Sequence, residues 1–425
     1  MRAQEISETS AGTFEKAFVV FGLLLSTGAF MNLAVSSSGG NIDDAAGTPA
    51  LQVLWAVVDI TIFVLLMRRR KEFWNALRNE PWLIALIVLA FCSVVWSDSP
   101  ALTIRRSVAF MSTILFGTYL GLRYPVSQQL RLIAGACAIT IVFSYFFGFL
   151  GLGNAVDQQA AVGWIGVFVQ KNTLGRMMVL SANVFLLLRK TNQVNRTLAN
   201  FGVIFSLVLI ALSRSTTAAV VLTLLLLCFP IMSLIQRNKA RAVQLVVALG
   251  ILAVLILFWI GKHLEVVSQV TGKDVTLTGR LEIWIFSVVF ALHKPWLGYG
   301  YNAFWINTQE SAVRVWKLMH WQVPHAHNGL LEIWLELGLV GVAVFMLGFL
   351  TYVNKAFQSL RAARTLSTDW ALIFLVFFFL SNLTESAFMS RHSIFVILYV
   401  SIAITLTRHS QRSSLGTSKP AAVEA

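Results

Sequence analysis

The sequence predicts an all-α polytopic membrane protein with about twelve transmembrane helices, and three observations carry that prediction. Hydrophobic residues fill 57% of the 425 positions and charged residues 12%, with a mean hydropathy of +0.74, well above an ordinary soluble domain. The apolar residues come in runs near the ~20 residues that cross a bilayer. Basic residues gather in alternate connections between the runs, the bias that marks cytoplasmic loops.

The runs lie at about 17–35, 50–67, 81–96, 107–122, 131–152, 174–188, 197–213, 216–235, 242–260, 329–352, 370–388 and 393–407. The polar start MRAQEISETSAGTFEK leads into the first run with no A-x-A-like cleavage site, so the first helix is read as retained. The even-numbered loops hold RRRKEFWNALR, Arg123 with Arg131, RKTNQVNR, RNKAR, and Lys355 with Arg361 and Arg364; these are placed in the cytoplasm, and an even helix count puts both termini there. The chain reads as one integral membrane domain, 1–408, with a long periplasmic loop at about 261–328 between the ninth and tenth helices. A Ser-, Gly- and Pro-containing cytoplasmic tail, 409–425, is expected to be disordered. Cys92, Cys137 and Cys228 all fall inside apolar runs, as buried thiols do, and supply no disulfide or metal framework. The net charge of +14 is mostly topology and not a nucleic-acid patch.

Some basic residues escape that explanation. Arg105, Arg106, Lys171, Arg214 and Arg391 fall on short outer loops or outer helix ends, Arg176 lies just inside a helix, and the long outer loop adds Arg280. A charge within a span costs at least ~2.5 kcal/mol on insertion scales, so such groups are functional candidates, with snorkelling or a structural ion pair as the alternative for any one of them. Several on one side argue for an anionic ligand there.

In SRSTTAA, residues 213–219, Arg214 sits in a tight turn where the next helix begins. Ser215 or Thr216 in the capping position would combine helix N–H groups with a guanidinium into an anion site; a capped turn with a surface arginine is the alternative. QKNTLGR, residues 170–176, has the same form, with Asn172 as an expected N-cap, Lys171 beside it and Arg176 one turn in. Leu281, Trp284, Ile285, Val288, Val289 and Leu292 make one face of a short helix ended by Lys294 and Pro295, either interfacial or packed, with Arg280 in its first turn. A cation there opposes the helix dipole, which favours a purpose for Arg280 other than helix stability. Trp296, Tyr299, Tyr301, Phe304 and Trp305 follow, as membrane-interface anchors or as platforms for sugar rings.

VPHAHNGLLEIWLELGLVG, residues 323–341, places His325, His327, Asn328, Glu332 and Glu336 at the mouth of the tenth helix. Asn328 is the expected N-cap, Glu332 and Glu336 share a face, and Gly338 and Gly341 permit close packing. A metal on His320, His325 and His327 lacks a completing Cys or carboxylate pair, so no metal is assigned.

Taken in order over about residues 165–390, KNTLG, LSRSTTA, TGRLEIW and HAHNGLLEIWLELGLVG resemble the O-antigen ligase and Wzy-type polymerase superfamily, above all its ExoQ-like exopolysaccharide members. The resemblance implies a GT-C-like, metal-independent, inverting glycosyltransferase without cofactors, in the bacterial inner membrane. Its active site faces the periplasm and works on undecaprenyl-pyrophosphate-linked glycans. Arg214 and Arg280 match the two arginines taken to bind the pyrophosphate, and His327 matches the essential histidine. On this basis His327 is the expected base, with Glu332 as an alternative, while Lys171, Arg176, Arg105, Asn328 and Glu385 complete the binding site. Partners would be the lipid-linked glycan, membrane lipids and other polysaccharide export proteins. Polymerase is the first reading because the motif wording is closest to ExoQ-like members, and ligase the second. A transporter or flippase, the third, is opposed by the absence of an evident internal repeat and by charges that crowd one side.

Overall fold

The computed structural model describes residues 12–31, 49–152, 163–238, 279–307 and 309–414, with 241, 244 and 245. Among these there is no β-strand, and the elements are α1 (Thr13–Ser26), α2 (Pro49–Arg68), α3 (Arg70–Arg78), α4 (Pro81–Cys92), α5 (Pro100–Arg123), α6 (Val126–Leu150), α7 (Lys171–Lys190), α8 (Arg196–Ser213), α9 (Thr216–Arg237), α10 (Arg280–His293), α11 (Glu310–Met319), α12 (Gly329–Ala362), α13 (Leu366–Asn382) and α14 (Ile394–Ser414). Every expected apolar run falls on one of these helices except 242–260, of which only 244 and 245 are described; the loop residues 261–278 lie outside the described residues. Among the described residues six helices, α2, α6, α8, α9, α12 and α14, are long and apolar enough to cross a membrane, and the bent pair α3 and α4 would make a seventh. That is the pattern of a polytopic membrane protein.

Local chemistry sets the helix ends. Proline opens α4 and α5 at positions where no backbone N–H is needed. The Asn195 side chain accepts from Thr197 N–H to start α8, and Thr365 with Thr368 forms a reciprocal cap on α13. α14 runs past residue 408 to Ser414, so the first residues of the expected tail are helical; 415–425 lie outside the described residues.

Two compact units divide the chain, one within Met1–Leu51 and Ser127–Ser215, the other within Gln52–Val126 and Thr216–Ala425. In the first, Gly202 of α8 gives room to the Phe185 ring of α7, and Ser206 donates to Ser181 across the pair at 2.8 Å. In the second, Gly117 and Gly121 bring α5 against α14: a Cβ at Gly117 would lie 2.6 Å from the Ile397 carbonyl oxygen.

α10 reverses one expectation. Leu281, Ile285, Val289 and Leu292 of its sequence stripe are exposed, and the buried side is Arg280, Ile283, Ser287 and Ala291. Apolar residues lie on both sides of the helix, so periodicity did not identify the packed face; α10 is packed on one side and presents its sequence stripe on the other. The aromatics that follow differ as well. Tyr299, Tyr301, Phe304 and Trp305 are buried, and only Trp296, 67% exposed, is available as an anchor or a platform. Tyr299, Phe304 and Trp305 pack with Ile283, Ala291, Val315 and Leu335 in a core joining α10, α11 and α12.

Candidate active site

The site in the second unit grows from the start of α12. Asn328 Oδ1 accepts from Leu330 N–H at 3.1 Å and Leu331 N–H at 3.2 Å, which makes it the N-cap that its residue type predicts. Immediately before it His327 is left-handed, with φ of 50°, a conformation costing a non-glycine residue about 1–2 kcal/mol. Glu332 reaches back so that its Oε2 accepts from Ala326 N–H at 2.6 Å, and His327 N–H donates to His325 Nδ1 at 3.2 Å. These bonds hold the strained turn and fix where the His327 ring points.

The ring points toward the loop between α13 and α14. Glu385 in that loop accepts from Arg280 at 2.9 Å through Oε1, and its Oε2 stands 3.7 Å from His327 Nδ1. Arg280, His327 and Glu385 are all buried. Gly279, with φ of 80°, ends the turn that delivers Arg280 to the first position of α10. Ser386 accepts from Asn328 N–H at 3.1 Å, and Asn382 accepts from Ala387 N–H at 2.6 Å. A Cβ on Gly329 would strike Asn382 and Phe388, so the helix start and the loop meet without a spacer. Taking one partner from a buried, hydrogen-bonded ion pair typically costs about 3–5 kcal/mol, so Glu385 fixes the position of Arg280 through one oxygen and turns the other toward the His327 ring.

His325, His327 and Glu385 bring ligand atoms within 4.8 Å of one another. His320, counted in the sequence-based set, is exposed and caps the end of α11 instead. A dication on the remaining set would face the Arg280 guanidinium across the shared carboxylate, an electrostatic conflict.

A second polar cluster lies on the same unit. Asn302, with φ of 55°, offers its carbonyl to Arg106, its Oδ1 to Arg391 at 2.5 Å and its Nδ2 to Glu336 Oε1 at 3.1 Å. Arg105 is exposed, whereas its neighbour Arg106 is buried. Helical phase was the available signal, since Arg106 falls with Thr103, Ser107 and Phe110 on the buried stripe of α5. Burial, and then the Glu336 carboxylate, push the Tyr301 phenol well above its usual range, and its hydroxyl donates to the Met389 carbonyl.

Beside this cluster α12 is broken at Gly338, which has φ 67° and ψ −170°. The backbone groups released there are taken up by the chain after α10. Tyr299 and Gly300 N–H donate to the Leu335 and Glu336 carbonyls at 2.8 and 2.9 Å, while Leu339 N–H donates to the Pro295 carbonyl at 2.8 Å. A Cβ at Gly338 would lie 2.1 Å from the Trp296 carbonyl, so the expectation of close packing holds for backbone against backbone.

The first unit holds its own basic corner. Arg214 is exposed and left-handed at the end of α8, with φ of 50°. Gly163 sits between Ser213 and Lys171, where a Cβ would be 2.7 Å from the Ser213 carbonyl oxygen and 3.1 Å from Lys171 Cδ. The N-cap of α7 is Gln170 and not Asn172, because the helix begins at Lys171; Asn172 Oδ1 instead accepts from Ser215 Oγ at 3.0 Å. Arg176 is half-buried one turn further on.

Residues 201–346 match the family model described as O-antigen ligase. The chain is 25% identical over 283 residues to the exopolysaccharide production protein ExoQ of Rhizobium meliloti (strain 1021), covering 64% of this chain and 63% of that protein. The resemblance read from the motifs thereby stands. The matched family segment contains Arg214, Arg280, His327, Asn328 and Glu332; Arg105, Lys171, Arg176 and Glu385 lie outside it.

Proposed function

We propose that this protein polymerises undecaprenyl-pyrophosphate-linked repeat units into exopolysaccharide, as an inverting, metal-independent glycosyltransferase. A GT-C-like bundle of about twelve helices in the inner membrane, with its site toward the periplasm, is part of the same reading; the apolar runs and the basic residues of the alternate loops support it. The observation that carries the reading is the buried array of His327, Glu385 and Arg280.

In this mechanism an acceptor sugar hydroxyl attacks the anomeric carbon of the lipid-linked donor. The new C–O bond forms as the bond to pyrophosphate breaks, and the electron pair leaves with undecaprenyl pyrophosphate. His327 Nε2 takes the hydroxyl proton. Its Nδ1 side faces Glu385, which orients the ring and balances the charge the imidazole acquires, as a carboxylate does behind a catalytic histidine. The 3.7 Å separation closes when substrate arrives, as such contacts do in ligand-free sites. Arg280 spends one N–H on Glu385 and keeps the rest of its five-donor fork for charge growing on the leaving group. Arg214, Lys171 and Arg176 serve the pyrophosphate by the motif resemblance, which the approach of Lys171 and Ser213 on either side of Gly163 supports for the first two. In this mechanism Asn328 and Glu332 shape the turn that presents His327, and Glu332 remains the alternative base.

Transfer of a finished glycan to a second lipid is the alternative, favoured by the description of the matching family model. Incubating purified protein with a lipid-pyrophosphate-linked repeat unit, with and without a second lipid acceptor, separates the two on a gel. A ladder from the single substrate means polymerase, a single band that needs the second lipid means ligase, and no product from either rejects both.

A further inference from the structure

α3 turns 88° from α4, so if the apolar α4 enters the bilayer, α3 lies along its surface. Phe73 and Ala76 bury one side of α3. The other side collects Arg70, Lys71, Trp74, Asn75 and Arg78, which line a shallow hollow of about 600 Å³ and project within roughly 140° of the helix circumference at the α-helical period. Arg69 is engaged by Glu72 at 3.4 Å, whereas Arg70, Lys71 and Arg78 have no carboxylate at ion-pair distance among the described residues. Trp74, 52% exposed, shares their face. Water suits three cations but not an exposed indole, and hydrocarbon suits the indole but not the cations. The headgroup layer suits both, with phosphates against the cations and the indole at the acyl boundary.

We infer that this face of α3 is a binding site for anionic phospholipid headgroups, with Arg70, Lys71 and Arg78 holding the phosphate and Trp74 seated beside it. The site is separate from the glycan chemistry and does not depend on it. Native mass spectrometry of the full chain, purified in detergent and titrated with phosphatidylglycerol or phosphatidylcholine, tests it. The wild type retains phosphatidylglycerol in preference to phosphatidylcholine. Each cation near a membrane surface contributes about a fivefold affinity gain, so the triple variant Arg70→Gln, Lys71→Gln, Arg78→Gln loses roughly a hundredfold and Arg78→Gln alone about fivefold. The single variant keeps the test decisive if the triple variant does not fold. Equal retention of both lipids, unchanged phosphatidylglycerol retention in Arg78→Gln, or full displacement of the lipid by millimolar inorganic phosphate would each overturn the assignment.

Discussion

Arg214 and Arg280 carry the same motif-derived role, yet their surroundings are opposite. Arg214 is exposed in a left-handed turn at the end of α8, and Arg280 is buried and held by Glu385 at 2.9 Å. An exposed guanidinium is screened and moves freely, so it adapts to whatever anion arrives. A buried one with a fixed partner is oriented in advance, and preorganised charge is what transition-state stabilisation needs. The two arginines should therefore differ in kind, with Arg214 serving binding and Arg280 serving the chemical step.

The largest expected effect separates them directly. Arg280→Lys lowers kcat about a hundredfold or more, because lysine presents a point charge and not a fork that can hold Glu385 and a phosphate together. Arg214→Lys raises KM for the lipid-linked donor by less than about tenfold and leaves kcat near wild type. Steady-state kinetics on the two variants checks the split, and equal kcat losses would remove the distinction. His327→Ala, at about 10²–10⁴-fold, belongs with Arg280 if it acts as a base.

Glu385 comes next. Glu385→Ala leaves Arg280 buried without its counter-charge and lowers stability by about 3 kcal/mol, read from thermal unfolding in detergent. Glu385→Gln keeps the shape, destabilises less, and lowers kcat by about ten- to a hundredfold. A Gln variant with wild-type kcat would make Glu385 a structural partner only. Gly338→Ala is expected to cost about 2 kcal/mol, because it combines a left-handed φ with a Cβ placed on the Trp296 backbone. Differential scanning calorimetry against Gly12→Ala, which has open space, isolates that cost.

The loop that carries Glu385 also predicts an acid limit. His392 stacks on Trp55 with ring centroids 3.8 Å apart, and burial, then Arg391, lower its pKa to about 3. The folded state thus binds this proton less readily than the unfolded chain, whose histidine titrates near 6.5. Stability is fully present above about pH 6.5 and declines as pH falls from there toward 3, by at most about 1.4 kcal/mol per unit. His392→Phe should flatten that slope in urea titrations. The smallest effect is expected from chelation: EDTA changes turnover by less than about twofold, since a dication on Glu385 would sit against the Arg280 guanidinium that the same carboxylate already holds.

Much of this was legible in residues that act locally. Asn328 announces the cap of α12, Lys294 and Pro295 announce the end of α10, and apolar runs mark the helices. Arg280 was singled out as a charge that topology does not explain, and His327 by its place in HAHNGLLE and the resemblance that motif carries. The rest depends on residues far apart in sequence. Glu385 meets Arg280 across 105 positions, and Asn302, whose residue type suggests only a turn, joins Arg106, Glu336 and Arg391. The packed face of α10 was hidden because Leu281, Ile285 and Val289, which it exposes, are more apolar than Arg280 and Ser287, which it buries. The break at Gly338 was hidden because a glycine in a helix reads as a packing contact until its φ is known.

That break also imposes an order on biosynthesis. The backbone groups that satisfy it come from residues 295–300, which leave the ribosome before any of α12 does. A chain made and inserted from its N-terminus therefore has the template in place when the interrupted helix arrives. A circular permutant that moved 295–300 behind α12 would have to insert a helix with open backbone groups, and is expected to show slow maturation and early proteolysis.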